Sequence, residues 1–566
     1  MTENARQTSP RPRTGGEVLV DQLLIHGTDH AYCVPGESYL AVLDALYAVR
    51  DRFQLYNARH EAGAANMAEA SGKLTGEPGV AFVTRGPGAC HAAIGVHIAM
   101  QDSTPMILFI GQVAREALDR EAFQEIDYTA MFGGVAKWVA QIEDARRIPE
   151  YLSRAYRTAT SGRPGPVVIA LPEDMLTDTV TVADAPRYRA TAPQLSSADV
   201  EQVMTALESA ARPLVLLGGS GWDDEACHRI ARFAEANYLP VACAFRRQDL
   251  IDNRSPAYVG DFGTAVSPTL TVRLAEADLL LVINSRLGEL TTRGYTTVAI
   301  PNPAQRLIHL HLDADEIGRV YAPEIGLAAS PKAFASAVAT RQLSHRDRWR
   351  AWQQTLRGEH LADRQPLPGD QAMVLSRALV AAAEILPDKT IVTLDAGNHA
   401  GWVQRFLCYA RPGRQLGSTC GAMGYAVPAA VAASLAAPDQ RVIACVGDGG
   451  FMMSGQELAT AIQHGGHVIV LLFNNASYAT IRMHQEREYP TRVVGTDLHN
   501  PDFVALAKAM GASSERISDT DAFVPALQRA LAHAGCSVIE ITTDIEAISS
   551  RTTLSELRRS ADGNAS

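Results

Sequence analysis

Three stretches of the 566-residue chain repeat one pattern, in which short aliphatic or β-branched runs alternate with segments of helical periodicity. The runs include Val80 to Val83 in the first stretch, Leu279 to Ile283 in the second and Val468 to Phe473 in the third. Continuous apolar runs are typical of strands that are buried on both faces of a parallel sheet, with helices as the connections. The pattern therefore predicts an α/β protein with three doubly wound parallel-sheet domains.

Polar segments between these stretches predict the domain boundaries. One polar segment covers residues 182–198, and a second, rich in proline and polar residues, covers residues 363–369. The predicted domains are an N-terminal domain over residues 14–182, a central domain over 196–345 and a C-terminal domain over 370–550. The two ends, residues 1–13 and 551–566, lack a core pattern and are predicted to be flexible.

Charge and cysteine content narrow the classes of function. Lys and Arg number 51 against 62 Asp and Glu, so the formal net charge is −11. A negative chain has no bulk charge with which to hold nucleic acid or an anionic membrane. The eight cysteines show no metal-binding spacing, which is typical of a reducing compartment, and no apolar run approaches about 18 residues. We expect a cytoplasmic protein without nucleic-acid or membrane partners.

The segment from Gly447 to Asn475 carries the most specific motif. An apolar strand delivers Asp448 into a glycine turn, GDGG, and the next strand ends at Asn474 and Asn475. The helix between these strands is predicted to be capped by Ser454 and Glu457. Because adjacent parallel strands end at the same edge of a sheet, we expect Asp448 and Asn475 to lie side by side where α/β sheets bind ligands.

Taken singly, GDGG is also typical of a tight turn, and NN of a loop. Together they favour a binding site, because 24 residues lie between Gly449 and Asn474 in the order strand, turn, helix, strand. A carboxylate, an amide oxygen and a backbone carbonyl suit Mg²⁺, and a glycine turn lets an anion approach the backbone. The motif therefore predicts a site for Mg²⁺ and a diphosphate.

This pair of motifs resembles the signature of the thiamine diphosphate-dependent enzymes. The form that the chain resembles most is the acetolactate synthase (acetohydroxyacid synthase) catalytic subunit group, over about Thr14 to Ile548. The segments that carry this resemblance are RHEAGAANMAEASGKLTGEPGVAFVTRGPGA from Arg59, EAFQEID from Glu121, HAGW from His399, GAMGYAVPAA from Gly421 and FMMSGQELATA from Phe451. The resemblance implies a pyrimidine-binding N-terminal domain, a central nucleotide-type domain and a diphosphate-binding C-terminal domain.

The resemblance also implies which residues bind the cofactor. Asp448, Asn475 and the backbone carbonyl of Ser477 correspond to the family's magnesium ligands, and Gly447 and Gly449 lie beside them in the diphosphate turn. These residues together would hold thiamine diphosphate and Mg²⁺.

Three further residues are implied to activate the cofactor. Glu61 corresponds to the glutamate that hydrogen-bonds N1′ of the aminopyrimidine, which helps the cofactor lose the proton from its C2 carbon. Met423 corresponds to the apolar wedge that folds the two rings together, and the carbonyl of Gly421 to the acceptor for the 4′-amino group. From the residues alone, Glu61 could instead complement a helix dipole, and Met423 could be a core side chain.

The resemblance extends to substrates and assembly. Gln112, Phe123 and Gln124 resemble the pocket for the donor and acceptor, and all three precede the diphosphate domain. The family arrangement implies a homodimer or homotetramer with each site at a dimer interface. The chain has no adjacent pair of histidines of the kind that pyruvate decarboxylases carry, which favours carboligation over simple release of an aldehyde.

Some positions depart from the synthase pattern. Arg85 stands where synthases usually have Ser, and His484 where they have a Trp that favours 2-oxobutyrate as acceptor. Arg85 and His484 could therefore recognise a polar or carboxylated substrate, or Arg85 could pair with a nearby acid while His484 faces solvent. Arg286 resembles a flavin-contacting arginine, but the match to FAD-binding relatives is partial, so FAD is left open.

The leading interpretation is decarboxylation of a pyruvate-like 2-oxoacid followed by carboligation to a second carbonyl compound, an aldehyde or a ketone. The alternatives on the same scaffold are a 2-oxoacid decarboxylase and a flavin-dependent 2-oxoacid oxidase. A non-enzymatic thiamine diphosphate-binding protein is disfavoured, because Glu61, Asp448 and Asn475 are all present.

Overall fold

The structure is a computed structural model that describes residues 11–369 and 371–564. The chain divides into two compact units, of which the first ends at Thr191 and the second begins at Ala192. Within the described residues, no helix combines the length and the hydropathy needed to cross a membrane.

The first unit contains one six-stranded sheet with helices around it. Its strands are β1 (Arg13–Thr14), β2 (His30–Cys33), β3 (Gln54–Asn57), β4 (Gly79–Thr84), β5 (Met106–Gln112), β6 (Trp138–Gln141), β7 (Pro166–Pro172) and β8 (Thr179–Val180). Its helices are α1 (Gly15–His26), α2 (Leu40–Ala48), α3 (Glu61–Thr75), α4 (Arg85–Asp102), α5 (Tyr128–Phe132), α6 (Ile148–Thr160) and α7 (Glu173–Thr177). The sheet is parallel throughout, in the order β3-β2-β4-β5-β7-β6, while β1 and β8 form a separate antiparallel pair.

The second unit contains two further sheets, and the first of them belongs to the middle of the chain. Its strands are β9 (Pro213–Leu217), β10 (Val241–Cys243), β11 (Tyr258–Asp261), β12 (Leu279–Ile283), β13 (Arg306–His311) and β14 (Ile325–Ala328). Its helices are α8 (Ser197–Ser209), α9 (Asp224–Ala236), α10 (Pro268–Glu276), α11 (Pro331–Val338) and α12 (Arg350–Asp363). The parallel order is β11-β10-β9-β12-β13-β14.

The last sheet belongs to the C-terminal part of the chain. Its strands are β15 (Ile391–Leu394), β16 (Gln415–Gly417), β17 (Val442–Gly447), β18 (Val468–Asn474), β19 (Ser513–Ile517) and β20 (Ser537–Thr542). Its helices are α13 (Leu375–Ile385), α14 (Asn398–Phe406), α15 (Ala426–Ala436), α16 (Asp448–Ser454), α17 (Leu458–Gln463), α18 (Ala479–Glu488), α19 (Phe503–Ala509), α20 (Phe523–Ala532) and α21 (Leu554–Asn564). The parallel order is β16-β15-β17-β18-β20-β19.

The strand order decides where this last sheet can bind a ligand. The connection from β15 runs to β16 on one side, and the chain then returns to β17 on the other side of β15. A crevice forms at the carboxyl ends of strands where the order reverses in this way. Residues that follow β15 and β17 therefore border the crevice. The prediction of three parallel-sheet domains is confirmed.

Two details differ from the sequence interpretation at the ends of the chain. Residues 551–564 were predicted to be flexible, but they contain α21, whose Leu554 is buried against Ala479 and Ile548. At the other end, Arg13 pairs with Val180 in a short strand, whereas residues 1–10 lie outside the described part of the chain. The polar composition of these segments hid two different anchors, the apolar side chain of Leu554 and the ion pairs of Arg13 with Asp21 and Asp184.

Two further details inside the chain differ from the sequence interpretation, the end of the central domain and the start of one helix. Helix α12 lies beyond the predicted end of the central domain at residue 345, yet its Leu356 packs in the core of the middle sheet. The predicted cap by Ser454 and Glu457 is wrong, because α16 begins at Asp448 and the Ser454 hydroxyl makes no capping bond. The helix begins directly at the strand end, so Asp448 is its first residue.

Candidate functional site

Asp448 lies where β17 passes into α16. In the parallel pairing of β17 with β18, Gly447 is opposite Phe473, so the two strands end together. Asp448 and Asn474 follow at the same level, and Asn475 comes one residue later. The predicted juxtaposition of the two motifs at one sheet edge therefore follows from this register.

Asp448 is a buried carboxylate. Its Oδ1 accepts the N–H of Gly449 at 3.0 Å, and its Oδ2 accepts from Nδ2 of Asn500 at 2.8 Å. Burial raises the pKa of Asp448 above its usual value, against the lowering effect of these hydrogen bonds. In the described ranges, 11–369 and 371–564, Asp448 forms no ion pair with a basic side chain. A buried carboxylate of this kind is stabilised by a cation.

The turn after β18 supplies two further oxygen donors. Oδ1 of Asn475 accepts the N–H of Ser477 at 3.2 Å, which holds the amide in place. Ala476 between them has φ of 53°, so the chain turns sharply here. The carbonyl of Ser477 accepts from the N–H of Ala479 at 2.8 Å, which leaves one of its lone pairs for another ligand. The turn thus presents an amide oxygen and a carbonyl oxygen.

These groups border one cleft of about 220 Å³ in the second unit. Of the residues predicted to bind the cofactor, those that line this cleft are Gly421, Met423, Gly447, Asp448, Gly449, Asn475 and Ser477. A Cβ atom at Gly449 would lie 2.5 Å from the ring of Tyr478, so only glycine allows this close approach. One carboxylate, one amide oxygen and one carbonyl form a donor set for a hard divalent cation, and the residues present fit Mg²⁺.

Asp395 was missed by the sequence interpretation and organises the loop that carries Met423. It is fully buried at the end of β15, and its carboxylate accepts the N–H groups of Ala396, Gly424 and Ala426 at 2.8 to 3.2 Å. Burial raises the pKa of Asp395 to about 6. The signal in the sequence was an acid directly after an apolar strand, TIVTL, the same signal that revealed Asp448.

His399 also lines the cleft, and the sequence interpretation assigned no role to it. Its ring stacks on Phe473 with centroids 5.6 Å apart, and burial lowers its pKa to about 3. Its Nε2 is buried and has no hydrogen-bond partner within the described residues. His399 therefore places a neutral aromatic ring at the wall of the cleft.

Glu61 belongs to the first unit and is the first residue of α3, as its position after a strand predicted. Its side chain is 13 % exposed, and Oε2 lies 2.8 Å from Nδ1 of His91 on α4. The carboxyl group is thus partly shielded from water, and among the described residues one side chain, that of His91, holds it. Such shielding is what a carboxyl group needs in order to share a proton with a ring nitrogen.

Comparison with known proteins accounts for all three sheets. In chain order, the models that match are the thiamine pyrophosphate enzyme N-terminal TPP binding domain over residues 13–131, the central domain over 200–338 and the C-terminal TPP binding domain over 395–541. The chain belongs to the thiamine pyrophosphate enzyme family. It is a thiamine diphosphate-dependent enzyme, and each of the three matched regions contains most strands of one six-stranded sheet.

Curated relatives cover almost the whole of this thiamine pyrophosphate enzyme. The mitochondrial acetolactate synthase of Schizosaccharomyces pombe is 30% identical over 94% of this chain and 83% of its own length. The acetolactate synthase large subunit of Parasynechococcus marenigrum is 30% identical over 94% of this chain and 88% of its own. The acetolactate synthase isozyme 2 large subunit of Escherichia coli is 29% identical over 94% of this chain and 95% of its own length. The predicted resemblance is confirmed.

Three of the predicted substrate residues of this thiamine pyrophosphate enzyme, Gln112, Phe123 and Gln124, lie in one region of the first unit. Gln112 is buried at the end of β5, and its Nε2 is 3.4 Å from the carbonyl of Ile126. Gln124 has φ of 65°, and its carbonyl accepts the N–H of Gly86 at 2.8 Å. The neighbouring Phe123 is 72 % exposed. The structure thus brings this loop to the start of α4 and leaves a large apolar side chain uncovered.

The surroundings of Arg85 and His484 match the second interpretation, in which Arg85 pairs with a nearby acid and His484 faces solvent. Nη2 of Arg85 lies 2.8 Å from Oε2 of Glu173, and its Nη1 lies 3.4 Å from Oε1 of Glu37. His484 is an exposed residue of α18 and does not line the cleft. The guanidinium is already engaged by acids of its own unit, which favours a structural role for Arg85.

The middle sheet gives no support for FAD. The loops after β9 and β12 touch, since a Cβ atom at Gly219 would lie 2.0 Å from the carbonyl oxygen of Asn284. Nε2 of His309 lies 2.9 Å from the carbonyl of Ser285, and Nε of Arg286 is 3.5 Å from Glu316. The loops at these two strand ends are therefore in direct contact, and Arg286 lies beside Glu316.

Proposed function

We propose that this enzyme decarboxylates a pyruvate-like 2-oxoacid and joins the remaining fragment to a second carbonyl compound, with thiamine diphosphate and Mg²⁺ as cofactors. The observation that carries the proposal is the buried Asp448, which shares one cleft with Asn475, Ser477 and Met423. The relatives, all named acetolactate synthases, support this class of reaction.

In this proposal, Asp448, the amide oxygen of Asn475 and the carbonyl of Ser477 would hold Mg²⁺, whose charge would balance that of the diphosphate. Gly447 and Gly449 let the diphosphate approach the backbone. When bound, thiamine diphosphate supplies the electron sink that stabilises the charge left by loss of CO₂. The residues of the chain bind, orient and shield it.

Glu61 would share a proton with the pyrimidine ring nitrogen of the bound cofactor. Met423 would pack against its rings, and the carbonyl of Gly421 would accept a hydrogen bond from its amino group. Asp395 acts indirectly, because it fixes the loop that carries Met423. Phe123 and Gln124, with Gln112, form the substrate side in this proposal. Arg85 and His484 stay weaker candidates for substrate contact, because the acids around Arg85 already engage it.

The proposal includes a homodimer or homotetramer with the sites at the dimer interface, as the resemblance implies. Around the cleft, Met452, Met453 and Ile481 each expose half or more of their surface. Exposed large apolar side chains are typical of surfaces that another chain covers. Light scattering of the purified protein should give at least twice the chain mass of 60.8 kDa; a stable, active monomer would contradict this part.

The test of the reaction is product analysis. Purified protein with thiamine diphosphate and Mg²⁺ should convert pyruvate into CO₂ and a carboligation product, and a panel of 2-oxoacids and aldehydes should identify donor and acceptor. Release of free aldehyde as the main product would assign a decarboxylase instead. Hydrogen peroxide formation, together with flavin absorbance of the protein, would assign an oxidase. No turnover in the whole panel would contradict the proposal.

A further inference from the structure

A side chain of the neighbouring helix holds the carboxyl group of Glu61. Nδ1 of His91 lies 2.8 Å from Oε2 of Glu61, and this is a contact between α3 and α4. Among the described residues, no donor is bonded to the other carboxylate oxygen, Oε1. One oxygen of Glu61 is therefore engaged within the protein, and the other is available to a ligand.

The packing of the two helices explains why these side chains meet. A Cβ atom at Gly95 on α4 would lie 2.5 Å from Cβ of Ala65 on α3, so the helices approach closely at this point. Glu61 and His91 each precede these residues by four positions, which is about one helical turn. The close approach of the helices at Gly95 and Ala65 therefore brings Glu61 and His91, one turn earlier on each helix, into hydrogen-bond distance.

The ring of His91 is itself held in place by His60. The two rings stack with centroids 4.4 Å apart and an angle of 29°. His60 is in turn fixed, because its Nδ1 accepts the N–H of Ala62 at 3.1 Å as the cap of α3. His91 is half-exposed, so without this stack its ring would be free to adopt other rotamers.

We propose that His91 is the positioning residue for Glu61: it holds Oε2 by a hydrogen bond, so that Oε1 is presented to the pyrimidine ring nitrogen of the cofactor. This inference rests on the proposed function. His91 makes and breaks no covalent bond in this role. The hydrogen bond restricts the Glu61 carboxyl group before the cofactor binds, so less conformational entropy is lost on binding.

The same three side chains could also form a metal site, since ligand atoms of His60, Glu61 and His91 all lie within 4.8 Å of one another. Two imidazoles and a carboxylate are a set that binds Zn²⁺. The direct 2.8 Å contact between Glu61 and His91 favours the hydrogen-bonded pair. The experiment must therefore distinguish Zn²⁺ binding by this cluster from the hydrogen bond between Glu61 and His91.

Two variants separate the hydrogen bond from the ring stack. His91→Phe keeps an aromatic ring against His60 but has no N–H, whereas His91→Asn keeps an N–H donor and has no ring. His97→Asn, on the same helix without a contact to Glu61, is the matched control. Each variant is loaded with thiamine diphosphate and Mg²⁺, and exchange of the cofactor C2 proton for deuterium is followed by NMR.

If the proposal holds, His91→Phe slows C2 exchange about tenfold, while His91→Asn stays within about threefold of wild type and His97→Asn is unchanged. Calorimetry should give cofactor dissociation constants within about threefold of one another. In a crystal structure of the apoprotein, the Glu61 carboxyl should leave its position in His91→Phe and keep it in His91→Asn. In a Glu61→Gln background, His91→Phe should add less than about a twofold effect.

Equal C2 exchange rates in His91→Phe and His97→Asn would overturn the positioning role. The same follows if His91→Phe slows exchange as much in the Glu61→Gln background as in the wild-type background. Tight binding of Zn²⁺ to the wild-type apoprotein that His91→Asn abolishes would also overturn it and assign the cluster to a metal. These results differ from failure of the proposed function, in which the wild-type protein would form no carboligation product from any 2-oxoacid of the panel.

Discussion

Both carboxylate oxygens of Asp395 accept the backbone N–H of Gly424, each at 3.0 Å. Gly424 directly follows Met423 and has φ of 80°, a conformation that glycine adopts without strain. The side chain at the end of β15 therefore fixes the loop whose methionine lines the cleft. A residue without contact to the magnesium donors thus shapes the site.

The first prediction concerns the pH dependence that Asp395 creates. Its pKa is about 6 in the folded protein against a usual value of 3.8. Between these two pH values the folded state binds more protons than the unfolded state. The free energy of unfolding therefore falls by about 3 kcal/mol as pH rises from about 4 to about 6. Above about pH 6 the contribution of Asp395 no longer changes with pH. Asp395→Asn should remove this contribution from the fall measured by urea unfolding of the apoprotein, while the contribution of the buried Asp261, whose pKa is raised to about 7, remains. Asp439→Asn, an exposed site, should keep the contribution of Asp395; an unchanged slope in Asp395→Asn would contradict the assignment.

The second prediction concerns the metal donors. Asp448→Ala removes the only charged oxygen donor of the proposed magnesium site, so affinity for thiamine diphosphate with Mg²⁺ should fall by about 100-fold, or about 3 kcal/mol. The melting temperature of the apoprotein should change little, because the variant also removes a buried charge. Isothermal titration calorimetry measures the affinity, with Asp439→Ala as the control. Wild-type affinity in Asp448→Ala would mean that the metal binds elsewhere.

The third prediction concerns Glu61. Glu61→Gln should keep cofactor affinity within about threefold and lower turnover about a thousandfold, since a neutral amide cannot share a proton with the ring nitrogen. Steady-state kinetics with the donor identified by product analysis provide the measurement. Glu116→Gln, at an exposed position of the same unit, serves as the control. A folded Glu61→Gln protein with wild-type turnover is incompatible with the mechanism.

The fourth prediction concerns Arg85, which has φ of 40° and is buried. Arg85→Gly removes the guanidinium without straining the backbone. Because Glu173 and Glu37 engage Arg85, we expect a loss of about 2 kcal/mol in the free energy of unfolding and the same rise in KM for charged and for neutral acceptors. A larger rise in KM for a carboxylated acceptor would instead establish Arg85 as a substrate contact.

Much of the site was predictable because its signals are local. Asp448 and Asn475 follow apolar strands, and the carboxyl ends of parallel strands meet at one edge once the strands are adjacent. Glu61 was implied by the resemblance, and in the structure it is the residue that opens α3. The cap by Ser454 was predicted wrongly, because the helix begins as soon as the strand ends, six residues before the serine.

The sequence by itself determined the three parallel sheets and the residues at their strand ends, because apolar runs and glycine turns act over a few neighbouring residues. Only the tertiary structure decided which distant side chains meet. Asp395 reaches the loop of Met423 through strand order, His91 reaches Glu61 through the close approach of α3 and α4, and Arg85 meets Glu173 across the unit. Such contacts depend on how helices and strands pack, and no periodicity within a single segment encodes the packing partner.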